Sequence, residues 1–316
     1  MMPFGGRALL ALLALSRAVE MAGRNTAGNL DLAFWQADSR EFEGEAARLA
    51  WARPVWGPLI VEESADEAAS GLIGGRLGRV RSGGMQRERS IRDGGTQTMT
   101  NEQLAAVCGE ANAQGMRTMV HAHSPESITA SVNAGCQQIE HGVFATDEVL
   151  KLMADKGVYF DPNVGVVLQN YLKNRDKYNG IGNYNDEGFA YMEKGLSLNV
   201  TMIKKAVATP NLKMVLGTDA VAGAHGHNAD EIVERVRQGG QKPMDAIISA
   251  TSMAAKSMRL DTTIGTLAAG YEADIVGLDG DPLADIPAVT RVAFVMKGGK
   301  VYKFSAGTAR GARPTP

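Results

Sequence analysis

The chain has 316 residues, 44% hydrophobic and 22% charged, with a formal net charge of −2. That balance is ordinary for a globular protein and gives no basic surplus for a nucleic-acid partner. No apolar run approaches the roughly 20 residues of a membrane helix. Two cysteines, Cys108 and Cys136, set up no disulfide framework, and their apolar or helical context reads as two buried thiols. The length suffices for one large domain, or for one domain plus a small one.

The N-terminus places Arg7 before the apolar stretch 8–15, which resembles a short signal h-region with room for cleavage over 16–22. The competing reading is an amphipathic or buried helix. It is the favoured one, so a cytoplasmic location is expected. Residues 1–90 contain no lysine and no histidine but eleven arginines and all three tryptophans, Trp35, Trp51 and Trp56. A helix over 39–53 is the best local assignment. Around it, propensity, pattern and turn chemistry disagree, so 1–90 is expected to be irregular or partly helical.

From residue 99 the pattern becomes regular. Thr100 caps a helix over 102–113, with Gln103 completing a capping box and Leu104, Val107 and Ala111 forming its apolar stripe. Strand 118–122 follows, then helix 125–134 and strand 137–140. A helix over 147–156, capped by Thr146 and stopped by Gly157, leads to strand 158–160. The stretch 168–191 is polar and aromatic and reads as a long lid or binding loop. Helix 188–208, strand 212–217, loop 223–228, and helices 230–238 and 243–258 come next. Short β segments over 264–278 and 292–304, with a Gly298-Gly299 turn, look like a small β appendage before a loose tail, 305–316. Strand and helix alternate with parallel direction, so α/β architecture is expected.

Parallel strands bring their C-terminal ends to one rim. His121 and His123 close the first such strand and share a face, His141 closes the next, and Asp219 closes a later one. Imidazoles with one carboxylate suit Zn²⁺ or a similar divalent ion with a position left for water. The metal would activate that water, and Asp219 would touch the metal and take the proton. Bland readings stand beside this one: solvent-edge histidines at 121 and 123, a His141 bonded to a backbone carbonyl, and Asp219 as a cap. His225 and His227, on a glycine-rich loop, suit substrate holding. Tyr171, Tyr178, Tyr184 and Tyr191 would wall a pocket or simply bury their rings.

MVHAH at 119–123, QIEHG at 138–142, MVLGTDA at 214–220, AHGHNADEI at 224–232, ISATSMAAKSM at 248–258 and IGTLAAGYEADIVGLDGDPLADI at 264–286 resemble the metal-dependent amidohydrolase superfamily. Within it the chain is similar to the imidazolonepropionase-like branch and to dipeptidases acting on Xaa-Pro or Xaa-Arg substrates. The resemblance spans about 83–304. It implies an incomplete TIM-like (β/α) barrel over 91–260, with a small C-terminal β-sandwich remnant over 261–304. It also implies hydrolysis of carbon–nitrogen bonds, in the class of those other than peptide bonds, in a small amide, cyclic amide or dipeptide. The partner is then a small amide-bearing molecule, with neither nucleic acid nor membrane, and a homo-oligomer would cover open strand edges. The implied cofactor is a divalent metal, zinc foremost. One histidine of His121-Ala122-His123, His121 in preference to His123, matches a ligand, as do His141 and Asp219, and Asp219 is the catalytic base. His225 matches a loop histidine facing the substrate, and His123 beside the ligand and Tyr171 of the aromatic stretch are the other candidate substrate contacts.

The departures from the family are specific. Its first strand carries His-x-His, and residues 1–90 have no histidine. Its fourth strand carries a metal-bridging carboxylated lysine shortly before a Gly-Gly. Gly83-Gly84 fits that landmark, but Gly78-Arg79-Val80 stands where the lysine belongs, and the first lysine is Lys151. The residues before about 83 read as text foreign to the family. The competing expectation is therefore a catalytically inactive relative with a binding or structural role. A nucleotide-binding α/β protein fits poorly, since no glycine-rich phosphate loop follows a strand.

Overall fold

A computed structural model describes residues 58–59, 80–81, 92, 94–181, 184–220 and 224–305. The signal-like stretch, the helix over 39–53, Gly78, Arg79, Gly83, Gly84 and the tail from 306 lie outside the described residues.

Six parallel strands form the main sheet: β1 (Pro58–Leu59), β2 (Val80–Arg81), β3 (Arg117–Ala122), β4 (Gln138–His141), β5 (Tyr159–Asp161) and β6 (Lys213–Met214). From β3 to β6 they lie in sequence order, and β1 and β2 both pair along the edge of β3 that faces away from β4. From β2 to β6 helices separate the strands, as parallel connections require. Among the described residues no pairing joins the two ends of the sheet. This is the incomplete TIM-like barrel core expected from the sequence.

The first helix, α1 (Asn101–Ala113), has the full capping box: Thr100 accepts from the Gln103 N–H, and the Gln103 side chain accepts from the Thr100 N–H. A second box, Ser124 with Ser127, opens α2 (Pro125–Asn133), where Pro125 needs no N–H partner. Helix α3 (Asp147–Lys156) ends at left-handed Gly157 as expected, but Thr146 makes no capping hydrogen bond. The outward residues Val120, Ile139 and Phe160 of the strands pack with Leu104, Ile128, Leu150 and Met153 of the helices into one core. Burying such side chains contributes roughly 1.5–3 kcal/mol each and dominates the stability of this layer.

Several expectations need correction. The 168–191 stretch is not a loop: α4 (Val166–Lys173) and α5 (Arg175–Tyr178) occupy its first half, and α6 (Asp186–Ala208) begins before its end. Aromatic burial drives this, because Tyr171, Phe189 and Met192 form their own core cluster. The strand expected over 212–217 shrinks to two residues, and α7 (Asn228–Arg237) starts two residues early. The long helix over 243–258 breaks at Thr251, whose φ of −124° and ψ of −98° separate α8 (Pro243–Ala250) from α9 (Ser252–Ser257). Cys108 and Cys136 are not two thiols. They form a disulfide between α1 and the segment entering β4, fully buried in the helix layer. Sequence context recognised their burial, while the pairing depended on α1 meeting the segment that enters β4, 28 residues away.

A small antiparallel sheet follows, of β7 (Ile275–Leu278), β8 (Val292–Lys297) and β9 (Lys300–Phe304), with the Gly298-Gly299 turn at left-handed φ. Only the last part of the expected 264–278 β segment is strand. Among the described residues no helix is long and apolar enough to cross a membrane.

Candidate functional site

The histidines meet at the C-terminal end of the sheet. In β3 the two-residue period puts His121 and His123 on one face, with ring centroids 4.5 Å apart. His141 would follow Ile139 to the opposite face if β4 continued regularly. Its φ of 70°, followed by 58° at Gly142, turns the chain out of the strand and swings the ring back over the rim. It reaches 4.4 Å from His121 and stacks on His123 at 5.2 Å. Left-handed backbone at a non-glycine residue costs about 1–3 kcal/mol and persists only where neighbours enforce it. Gly142 is required here, since a Cβ would stand 2.6 Å from the Phe160 ring. Asn163, just beyond β5, sits 2.5 Å from His141 Nδ1 through Oδ1. An amide oxygen only accepts, so with Asn163 in this orientation His141 donates from Nδ1.

His123 is buried at 1% exposure, while His121 and Asp219 are half-buried. Asp219 also has left-handed backbone, φ 50°. Its charge reaches both Glu140 and Tyr171, helping to raise each of their pKa values. For Tyr171 burial is the main cause, ahead of the hydrogen bond and charge of Tyr184. The Tyr171 ring packs against Tyr178 at 4.9 Å and Tyr184 at 4.8 Å. The structure thus brings His121, His123 and His141 together and sets Tyr171 within electrostatic reach of Asp219. His225 is exposed on its loop. His227 lies 3.1 Å from Asp230 and belongs to the start of α7.

The expected zinc centre does not follow. Among the described residues no group of three or more His, Cys, Asp or Glu side chains could hold a metal ion. His121, His141 and Asp219 therefore do not fit a divalent metal, and that expectation is corrected. The three imidazoles lean on one another.

Strand β2 bears on the missing lysine. Val80 and Arg81 lie in parallel register with Val120 and His121. This is the place of a strand preceding the His-x-His strand, and no lysine is near it in sequence.

Beneath the rim runs a polar chain that sequence reasoning missed. Gln138 donates to Glu140 at 2.7 Å, and Glu140 is hydrogen-bonded to Asp161. Asp161 accepts from the Gly217 N–H at 2.7 Å and from Arg235 Nη2 at 3.0 Å. Arg235, wholly buried, also donates to the Val215 carbonyl at 2.7 Å and faces Glu231 at 3.8 Å. Glu231 in turn accepts from the Val164 N–H. Gly217 has to be glycine, because a Cβ there would overlap the Asp161 carboxylate at 1.8 Å. Burial pushes the Glu140 carboxyl well up, reinforced by the neighbouring Asp161 and Asp219 charges. Asp161 is also raised by burial, although Arg235 opposes the shift. The signal for Asp161 was present: it is an acid at the C-terminal end of a barrel strand, the same position as His141. Arg235 had none, since a basic residue in the last turn of an amphipathic helix ordinarily faces water.

Fold and sheet order together define a protein built on an incomplete (β/α)-barrel core. A profile described as "Amidohydrolase family" matches residues 77–302, and the chain belongs to that family. It is 29% identical over 256 residues to ochratoxinase of Aspergillus niger, covering 78% of this chain and 51% of that protein. A solved Xaa-Pro dipeptidase with bound methionine superposes with TM-score 0.59 at 31% identity, over 66% of this chain and 50% of that one. A putative prolidase from Bifidobacterium longum gives TM-score 0.61 at 25% identity, over 70% and 55%. The chain spans about half the length of the curated ochratoxinase it matches. Relationship to the dipeptidase branch agrees with the motifs. The expected bond class does not, because a dipeptidase and a prolidase are peptide-bond hydrolases, so the exclusion of peptide bonds is withdrawn.

Proposed function

We propose that this chain is a non-catalytic amidohydrolase relative that uses its histidine rim to bind a small amide-bearing or dipeptide-like molecule without cleaving it. The observation that carries this reading is the register of Val80–Arg81 against Val120 and His121, at the place where the family's bridging lysine is expected. Residues 1–90 supply no histidine for the first-strand pair either. Hydrolysis in this family rests on metal-activated water, and the described side chains offer no set of three for the ion. Ligand binding asks less of them. Clustered imidazoles offer donors and acceptors for an amide, and the aromatic cluster of Tyr171, which is within electrostatic reach of Asp219, would supply one wall.

The test uses the purified full chain equilibrated with zinc, manganese or cobalt and offered Xaa-Pro dipeptides and N-acyl amino acids. The expected result is no turnover, with calorimetric binding that weakens in His141→Ala. Turnover that tracks bound metal and disappears in both His141→Ala and Asp219→Ala would establish the hydrolase instead.

A further inference from the structure

The opposite end of the sheet carries a second concavity. A cavity of about 480 Å³ opens at the N-terminal ends of the strands, where β3 begins at Arg117 and β5 at Tyr159. The four residues from Arg117 to His121 set it roughly 13 Å from the histidine rim. Its walls include Arg117, Lys156, Lys256 and Arg259, together with Tyr159 and Ser257, and none of the described residues that line it is acidic.

Among the described residues none of the four cations forms a salt bridge with an acidic side chain. Arg117 is 7% exposed, and its hydrogen bonds among the described residues run from Nη2 to neutral acceptors, Gln138 Oε1 at 3.2 Å and Ser257 Oγ at 3.0 Å. Its Nε and Nη1 make no hydrogen bond among the described residues. Arg259 donates to the Gly115 carbonyl at 2.6 Å and to Gln137 Oε1 at 3.3 Å, again neutral. Lys156 and Lys256 are exposed and make no ion pair among the described residues. Lys213 adds a further positive charge at the edge, donating to the Gly157 carbonyl at 3.1 Å. Glu140 attracts Arg117 from farther along the strands, and Asp261 acts on Tyr159 from outside the lining. The other buried guanidinium of this fold is treated differently, since Arg235 meets both Asp161 and Glu231.

A buried cation without a counterion is costly, and like charges gathered around one cavity add to the cost. Arg117 registers this: burial, then repulsion from Arg259, lowers it to about 10. A polyanion in the cavity removes both costs. Guanidinium forks match phosphate oxygens, and lysines act as point charges beside them. The space exceeds that of a bare ion and suits a small organic phosphate or pyrophosphate.

We infer that the cavity floored by Arg117, Lys156, Lys256 and Arg259 is a binding site for a small phosphorylated molecule carrying two or more negative charges. It is separate from the histidine rim and independent of what that rim does. The probe is pyrophosphate, titrated calorimetrically into the full chain at constant ionic strength. Binding is expected, with affinity reduced about tenfold or more in Arg259→Gln and in Lys256→Gln, as loss of a charge-assisted contact implies. Both side chains are exposed, so the variants should fold, and His141→Ala should bind like the parent. Absence of binding at millimolar pyrophosphate overturns the inference. So does an affinity that Arg259→Gln and Lys256→Gln leave unchanged, or one that sulfate reproduces equally.

Discussion

Arg235→Met should destabilise the chain severely although it touches no rim residue. Methionine keeps the volume of the unbranched stem but removes every donor. The Val215 carbonyl loses a 2.7 Å hydrogen bond, a net loss of about 1 kcal/mol. Asp161 loses a charged donor at 3.0 Å inside the protein, where it is itself about 3% exposed. Glu231, wholly buried, loses the cation 3.8 Å away. Breaking a buried pair from one side typically costs about 3–5 kcal/mol, and this site has two carboxylates to strand. With a urea dependence of about 3 kcal/mol per molar, the unfolding midpoint should fall by roughly 1 M or somewhat more. The loss should shrink at acidic pH, because Asp161, already raised by burial, then takes up a proton and no longer needs the cation. Urea unfolding of both proteins at neutral and acidic pH measures this. A loss below about 1 kcal/mol with unchanged slope at neutral pH would show that the buried cation is not what holds the acidic pair in place.

Removing the disulfide by Cys108→Ser with Cys136→Ser should cost about 3.6 kcal/mol, from the loop-closure relation applied to its 28-residue separation. Denaturant midpoints with and without reductant should show the parent, and not the variant, responding to reduction. Glu140 gives a pH prediction of defined sign. Burial first, then Asp161, raises its carboxyl above the unfolded value, so the folded state holds the proton longer. Its stabilising share is complete below the unfolded value of about 4.3 and is lost as pH rises through the raised folded value. Glu140→Gln should therefore flatten the decline in stability on going from acid to neutral pH, and parallel profiles for the two proteins would contradict the assignment.

Much of the fold was legible because its signals are local. Capping boxes at Thr100 and Ser124, the stop at Gly157 and the apolar period of α1–α3 each depend on residues a few positions apart. So does the side-by-side placement of His121 and His123. Aromatic packing among Tyr171, Tyr178, Tyr184 and Phe189 turned an expected loop into helix, and no local rule anticipates partners that meet across a turn. The bond class was misjudged for another reason: the motifs it rested on recur across a superfamily, and solved structures similar to this chain include a dipeptidase and a putative prolidase.

By itself the sequence determined the alternation of strand and helix, the family, and which end of the sheet would collect the histidines, since each follows from short-range pattern and strand direction. Only the tertiary structure decided whether those groups act together. His141 reaches its neighbours through a left-handed backbone turn, Arg235 crosses 74 positions to neutralise Asp161, and Arg117 faces cations from elements far along the chain. Such electrostatic pairings depend on distances of a few ångströms, which periodicity and propensity do not encode.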